Sequence, residues 1–280
     1  MGFPIEKGAF QMTEELDFNN LIPELHYYIH RKPTPGWKIE PCITSFIDIT
    51  YVMDGKAEYT INDQTYIVNK GDLICIPQNS YRAATSIPDD LIECYATNFR
   101  LRNQTGEYVS LPLPFISHIG SNPQLIALYN EMHSEWLQQN FGYMLKVRAI
   151  LCMILHLILD QLLNKNHASQ DDPRIKSSIH YMSAHYWENL TTEEMAKRYH
   201  LHPAYYGNLF QKVTGMTFKQ YLISIRLNYA ENLLKSGEYS VGEVALQCGF
   251  SDIFYFSKLF KAKKGIPPSA CFLEEKKPLK

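Results

Sequence analysis

The 280-residue sequence predicts two domains of different class: an N-terminal all-β sandwich or barrel followed by helices, and a C-terminal all-α domain. Three observations carry this α+β reading. Over residues 24–99, short β-type segments alternate with turn residues at close spacing. Over 189–272 one small helical device occurs twice, with Ala245 lying 49 residues after Ala196 and Phe260 lying 50 after Phe210. Between these regions, residues 164–173 are polar and aperiodic, which marks a linker. The division that follows is an arm at 1–22, a barrel at 23–120, a helical region at 121–163, the linker, and the all-α domain at 174–280.

In chain order, the β-type segments are 25–30, 44–53, 57–61, 65–68, 73–76 and 91–99. Asp54-Gly55 predicts a hairpin, Asn62-Asp63 a second, and Lys70-Gly71-Asp72 a turn before the next strand. Past Pro112 and Pro114 the period changes. Leu125, Leu128, Tyr129 and Met132 share one helical face, and 143–163 reads as a helix apolar on much of its circumference. Its stripe of Leu151, Ile154, Leu155, Ile158 and Leu162 suits packing on the barrel or a helix–helix dimer interface.

The repeated device begins with a capping box in each copy, Thr191 with Glu194 and Ser240 with Glu243. Ala196 and Ala245 then let a second helix cross closely. That helix carries Tyr206, Leu209, Phe210 and Val213 in the first copy, and Phe256, Leu259 and Phe260 in the second. The second copy has one extra residue in its turn. Each unit is a helix-turn-helix, and residues 217–235 form the helix that joins them.

Net charge is −2, but it is unevenly shared. Residues 171–280 hold fifteen Lys and Arg against eleven Asp and Glu, a surplus of four positive charges, while 1–170 hold twelve against eighteen. The six cysteines show no CxxC pair, which favours free thiols in a reducing cytosol. The N-terminus lacks the apolar run of a signal peptide. The longest apolar run, 149–159, is too short to cross a bilayer. A cytoplasmic protein is therefore expected. No nucleophile elbow, phosphate loop or paired-carboxylate pattern is placed to support an enzyme.

The joining helix, with Val244-Ala245, Gly249-Phe250-Ser251-Asp252, Tyr255-Phe256-Ser257-Lys258, Phe260-Lys261 and Gly265-Ile266-Pro267-Pro268, resembles the DNA-binding half of AraC/XylS-type bacterial transcription regulators. The family's usual Tyr-Arg near the end reads Cys271-Phe272 here, and Lys263 replaces a common aromatic. Neither departure touches a groove-facing position. The stretches 51–61 and 71–77 resemble the cupin barrel that such regulators carry ahead of the DNA-binding half. The resemblance implies promoter DNA, a small-molecule effector of the sugar type and a second copy of the chain as partners, with RNA polymerase added for an activator. Rival readings are a regulator governed by a protein partner and a cupin enzyme fused to DNA-binding helices.

The cupin motif positions that would ligate a metal fall at 48–50 and at Arg82, where no histidine stands, so no metal or other cofactor is expected. His26 and His30 share a strand face and read as surface or core residues. The barrel is rich in groups that bind small polar molecules, including Tyr59, Tyr66 and Tyr81. The expected effector contacts are Arg31, Trp37, Tyr51, Arg82, Cys94, Ala96 and Asn98. Of these, Arg31 matches a sugar-contacting position of arabinose-type relatives, whereas Cys94 and Ala96 replace bulkier pocket residues, which implies a different effector. For DNA, the first unit's outward face offers Ala204, Tyr205, Gly207, Asn208, Gln211 and Lys212. In the second unit the set is Ser251, Asp252, Phe254, Tyr255, Ser257, Lys258 and Lys261. Asn208 suits adenine, Lys258 guanine and Phe254 a thymine methyl, while Lys212 and Lys261 suit phosphates.

Overall fold

A computed structural model describes residues 16–163 and 172–271. The expected arm up to residue 15, most of the linker and Phe272 lie outside these residues. The chain divides into two compact units, Met1–Asn164 and Lys165–Lys280. Among the described residues no helix is long and apolar enough to cross a membrane.

Among its described residues the N-terminal unit has nine strands: β1 (Ile22–Arg31), β2 (Lys38–Ile43), β3 (Ile47–Asp54), β4 (Lys56–Ile61), β5 (Gln64–Asn69), β6 (Asp72–Ile76), β7 (Tyr81–Ser86), β8 (Glu93–Arg102) and β9 (Ile116–His118). They form two antiparallel sheets, ordered β1-β8-β3-β6-β9 and β2-β7-β4-β5. Two helices follow, α1 (Pro123–Gln138), capped by Asn122, and α2 (Tyr143–Leu163).

In the five-stranded sheet the central strands β3, β6 and β8 are buried on both faces, and since successive side chains point to opposite sides each strand feeds two cores. From β3, Ile47, Ile49 and Tyr51 pack into the cluster that holds α1 and α2, while Val52 enters the core with the four-stranded sheet. β8 divides likewise, with Tyr95, Phe99 and Leu101 on the helix side and Cys94 between the sheets. Of the two readings of the α2 stripe, the structure shows the packing one: Leu151, Ile154, Leu155 and Ile158 are buried in this core and Leu162 packs on it.

The hairpin expected at Asp54-Gly55 does not form. β3 pairs with β6 and β8, and β4 with β5 and β7, so Gly55 turns a corner between sheets. Its φ is +70°, and a Cβ there would lie 2.1 Å from the Leu91 carbonyl oxygen, so only glycine fits. The hairpin at Asn62-Asp63 is present, with Ile61 facing Gln64 and Asn62 at φ 52°. β2, β7 and β9 had no counterpart among the expected segments.

The C-terminal unit contains α3 (Pro173–Ala184), α4 (Thr192–Arg198), α5 (Pro203–Thr214), α6 (Phe218–Ser236), α7 (Val241–Gln247) and α8 (Ile253–Lys264). Both expected capping boxes are closed, and Thr217 with Gln220 closes a third at the start of α6. The turns span 199–202 and 248–252, so the second is longer by one residue. There are two cores. Met195, Ala196, Tyr206 and Phe210 form the first with Phe218 and Leu222 of α6; Val244, Ala245, Phe256 and Phe260 form the second with Leu227, Ala230 and Leu234. One helix thus serves both units. Cys271, at the departure from the family pattern, is buried in the second core.

Candidate functional site

Between the two sheets of the N-terminal unit lies a cavity of about 270 Å³. Its wall includes Tyr27, Ile29 and Arg31 from β1, Asp48 and Thr50 from β3, Tyr59 from β4, Arg82 from β7, and Ala96 and Asn98 from β8, with Trp37, Lys38 and Ile39 beside them. The period of two in β3 and β8 aims Asp48, Thr50, Ala96 and Asn98 here. An ion pair sits in the cavity: Arg82 Nη1 donates to Asp48 Oδ2, while Thr50 Oγ1 donates to Asp48 Oδ1 at 3.0 Å. Burial pushes the Asp48 carboxyl up, against the opposing pull of Arg82. The Arg31 guanidinium lies 4.1 Å over the Trp37 ring. Burial also drives the Tyr59 phenol well above its ordinary value, so it stays neutral.

Of the expected effector contacts, five are brought together here: Arg31, Trp37, Arg82, Ala96 and Asn98. Tyr51 is not among them. It points to the helix side, where its hydroxyl donates to the Gly120 carbonyl at 2.9 Å and its ring stacks on Tyr129. Cys94 faces between the sheets but is fully buried in the apolar core and does not line the cavity, and burial pushes its thiol up to about 12. Tyr59, one of the barrel aromatics noted in the sequence, also lines the cavity, and wall residues without such a reading are Tyr27, Ile29, Lys38, Ile39, Asp48 and Thr50. In sequence Asp48 marks only a position without the histidine of a cupin metal site. Its signal was a lone carboxylate inside an apolar strand, which needs a partner. The described residues hold no cluster of three or more His, Cys, Asp or Glu able to bind a metal ion. His30 instead pairs with Glu93 at 2.9 Å, and His26 is exposed.

In the C-terminal unit, Ala204, Tyr205, Asn208, Gln211 and Lys212 lie exposed on α5. Gly207 is half-buried towards α4, where a Cβ would meet Thr192 at 3.8 Å, so it belongs to the helix contact rather than the open face. On α8, Phe254 is 83% exposed and Tyr255 46%, with Lys258 and Lys261 also outward. Ser257 is half-buried. Asp252 is the N-cap of α8, its Oδ1 accepting from the Phe254 and Tyr255 amides, so the carboxylate is engaged within the chain. Ser251 is exposed beside it. Two further apolar side chains near the second turn are exposed, Ile253 at 40% and Leu246 at 70%. Their signal was their position immediately around the second turn. A wider surface hollow of about 620 Å³, lined by Tyr181, Glu188 and Arg198 among others, lies on the first unit.

Comparison with known proteins places these features. The AraC-like ligand binding domain matches residues 24–155, and a helix-turn-helix domain matches 195–272, together well over half of the chain. Over 272 residues the chain is 24% identical to the Msm operon regulatory protein of Streptococcus mutans, covering 94% of this chain and 96% of that protein. It is 24% identical over 242 residues to the HTH-type transcriptional activator RhaS of Klebsiella pneumoniae, covering 77% and 81%. The solved C-terminal domain of AraT, a response regulator from Geobacillus stearothermophilus, aligns at 26% identity over 40% of this chain and 97% of that chain, with a TM-score of 0.37. With a ligand-binding domain ahead of a double helix-turn-helix, the chain belongs to the AraC family of bacterial transcriptional regulators.

Proposed function

We propose that this protein is a cytoplasmic, non-enzymatic regulator that reads promoter DNA through both helix-turn-helix units and binds a small polar effector in the cavity between its sheets. The observation that carries the DNA reading is the pair of exposed second helices, α5 and α8, built on one connecting helix. α6 has 19 residues, hence a length of roughly 28 Å at 1.5 Å per residue. That suits two major-groove segments about one DNA turn apart, near 34 Å. The proposed reading residues are Asn208 and Gln211 from α5, and Phe254, Tyr255 and Lys258 from α8, with Lys212 and Lys261 on phosphates.

For the N-terminal unit, the polar cavity supports effector binding, and the Asp48–Arg82 ion pair, at positions where the cupin resemblance puts metal ligands, supports a metal-free site. We further propose the arm, barrel, helical and linker bounds given above, and a homodimer. Fluorescence anisotropy with operators selected from random libraries tests the DNA reading. The isolated C-terminal half is expected to bind them, with affinity falling steeply with salt as counterions are released. If that half folds but binds no better than residues 1–170, the assignment fails. Tightly held zinc, iron or manganese near one equivalent would overturn the metal-free reading.

A further inference from the structure

The charge inside the effector cavity points beyond "small and polar". Two guanidinium groups, Arg31 and Arg82, line it against a single carboxylate, Asp48. Lys38 at its edge is already matched by Glu40 at 2.6 Å. Asp48 is fully engaged, with one oxygen accepting from Arg82 and the other from Thr50. Arg31 therefore keeps an unmatched positive charge. Among the described residues no carboxylate lies within ion-pair distance of it, and its Nε is buried without a hydrogen-bond partner. The Trp37 ring covers one face of the guanidinium and fixes its plane, but leaves the in-plane N–H fork as its means of recognition.

The remaining wall asks for hydroxyl groups. Asn98, 1% exposed, leaves its Oδ1 buried and unpartnered, which an O–H donor would relieve. Arg82 Nε is likewise unpartnered, and the neutral Tyr59 phenol lies on the same wall. Trp37, whose face would otherwise pack on sugar C–H groups, has the Arg31 guanidinium over its ring. At about 270 Å³ the space lies below the roughly 300–1,000 Å³ of drug-sized sites, so the ligand is a single small ring or short chain.

We infer that the effector is a small hydroxylated monocarboxylate, a sugar acid rather than a neutral sugar, with its carboxylate on Arg31 and a hydroxyl on Asn98. This rests on the effector reading proposed above. A carboxylate is the planar two-oxygen anion that a guanidinium fork matches, and it supplies the one negative charge the cavity lacks. Neutral parent sugars offer the hydroxyls but not the charge.

The test is calorimetric titration of the full-length protein with five- to seven-carbon aldonates and uronates, each beside its uncharged aldose. At least one acid is expected to bind about ten- to a hundredfold more tightly than its aldose, the worth of a charge-assisted hydrogen bond. Arg31→Gln should bring acid and aldose to within about threefold of each other, and Arg31→Lys should retain the preference. Unchanged melting of the ligand-free variants shows that the loss is not misfolding; if Arg31→Gln does not fold, Arg31→Lys and Asn98→Leu, which should weaken acid and aldose alike, carry the test. An aldose binding as tightly as its acid, or acid preference surviving Arg31→Gln, overturns the inference and leaves the effector reading standing. Silence of the whole panel overturns both.

Discussion

Asp48 and Arg82 illustrate how much a single buried pair can weigh. Both side chains are almost wholly withdrawn from water, and they form an ion pair. Removing one partner leaves an uncompensated buried charge, so Arg82→Met is expected to destabilise the N-terminal unit by about 3–5 kcal/mol in urea unfolding. Adding Asp48→Leu should recover most of that loss, because the orphaned charge goes with it. His133 on α1 gives a pH-dependent case. Burial, then the neighbouring His30, lowers its pKa, and its Nδ1 is buried without a partner. The folded state therefore takes up a proton less readily than the unfolded chain, so stability is full above about 6.5, the unfolded value, and falls as pH drops below it. His133→Gln should flatten that fall in thermal melts between pH 7 and 5. Arg82 was legible as a candidate because a charged residue among β-type segments is conspicuous. Tyr51, also expected in the cavity, lies on the other side: β3 is buried on both faces, so no polar–apolar alternation indicates which side is the cavity.

At the scale of elements, α6 is the part on which both DNA-reading units depend. Arg226, midway along it, donates Nε to the Tyr186 carbonyl at 2.7 Å, Nη1 to Gly249 at 2.9 Å and Nη2 to Glu188 at 2.9 Å. It ties the loop before α4 to the turn before α8. Gly249 sits at φ +78°, and a Cβ would come within 2.7 Å of the Trp187 carbonyl, which explains glycine there. Arg226→Met should cost about 2–4 kcal/mol, three hydrogen bonds at roughly 1 kcal/mol each, and should weaken DNA binding through both units. For the reading helices, Asn208→Ala is expected to relax an adenine preference in one segment and Lys258→Ala a guanine preference in the other. Each should cost about 1–3 kcal/mol at its own position. Lys261→Ala should weaken all sequences alike and lower the salt slope by about one unit. Selections on randomised operators decide this; uniform weakening by Asn208→Ala and Lys258→Ala would show the choice of reading residues to be wrong.

For the molecule as a whole, the proposed dimer needs a surface that the fold leaves open. The stripe on α2 chosen from sequence is already buried, but Leu137, Phe141 and Leu145, around the α1–α2 connection, are 67%, 110% and 75% exposed. Leu145→Glu should shift sedimentation towards the monomer without loss of stability. Leu151→Ala should instead destabilise the unit by about 2–5 kcal/mol, the cost of a core cavity. Sequence alone determined the two-unit plan, the doubled helix-turn-helix with its caps, the connecting helix and the exposed faces of α5 and α8. All of these are local: capping boxes, turn residues and a 3.6-residue period act within a few positions of one another. Only the tertiary structure decided that Gly55 turns a corner between sheets, that Tyr51 and Cys94 lie off the cavity, and that Asp48 meets Arg82 across 34 positions of chain. Those outcomes depend on which strands pair, and pairing between distant segments leaves no periodic trace in either one.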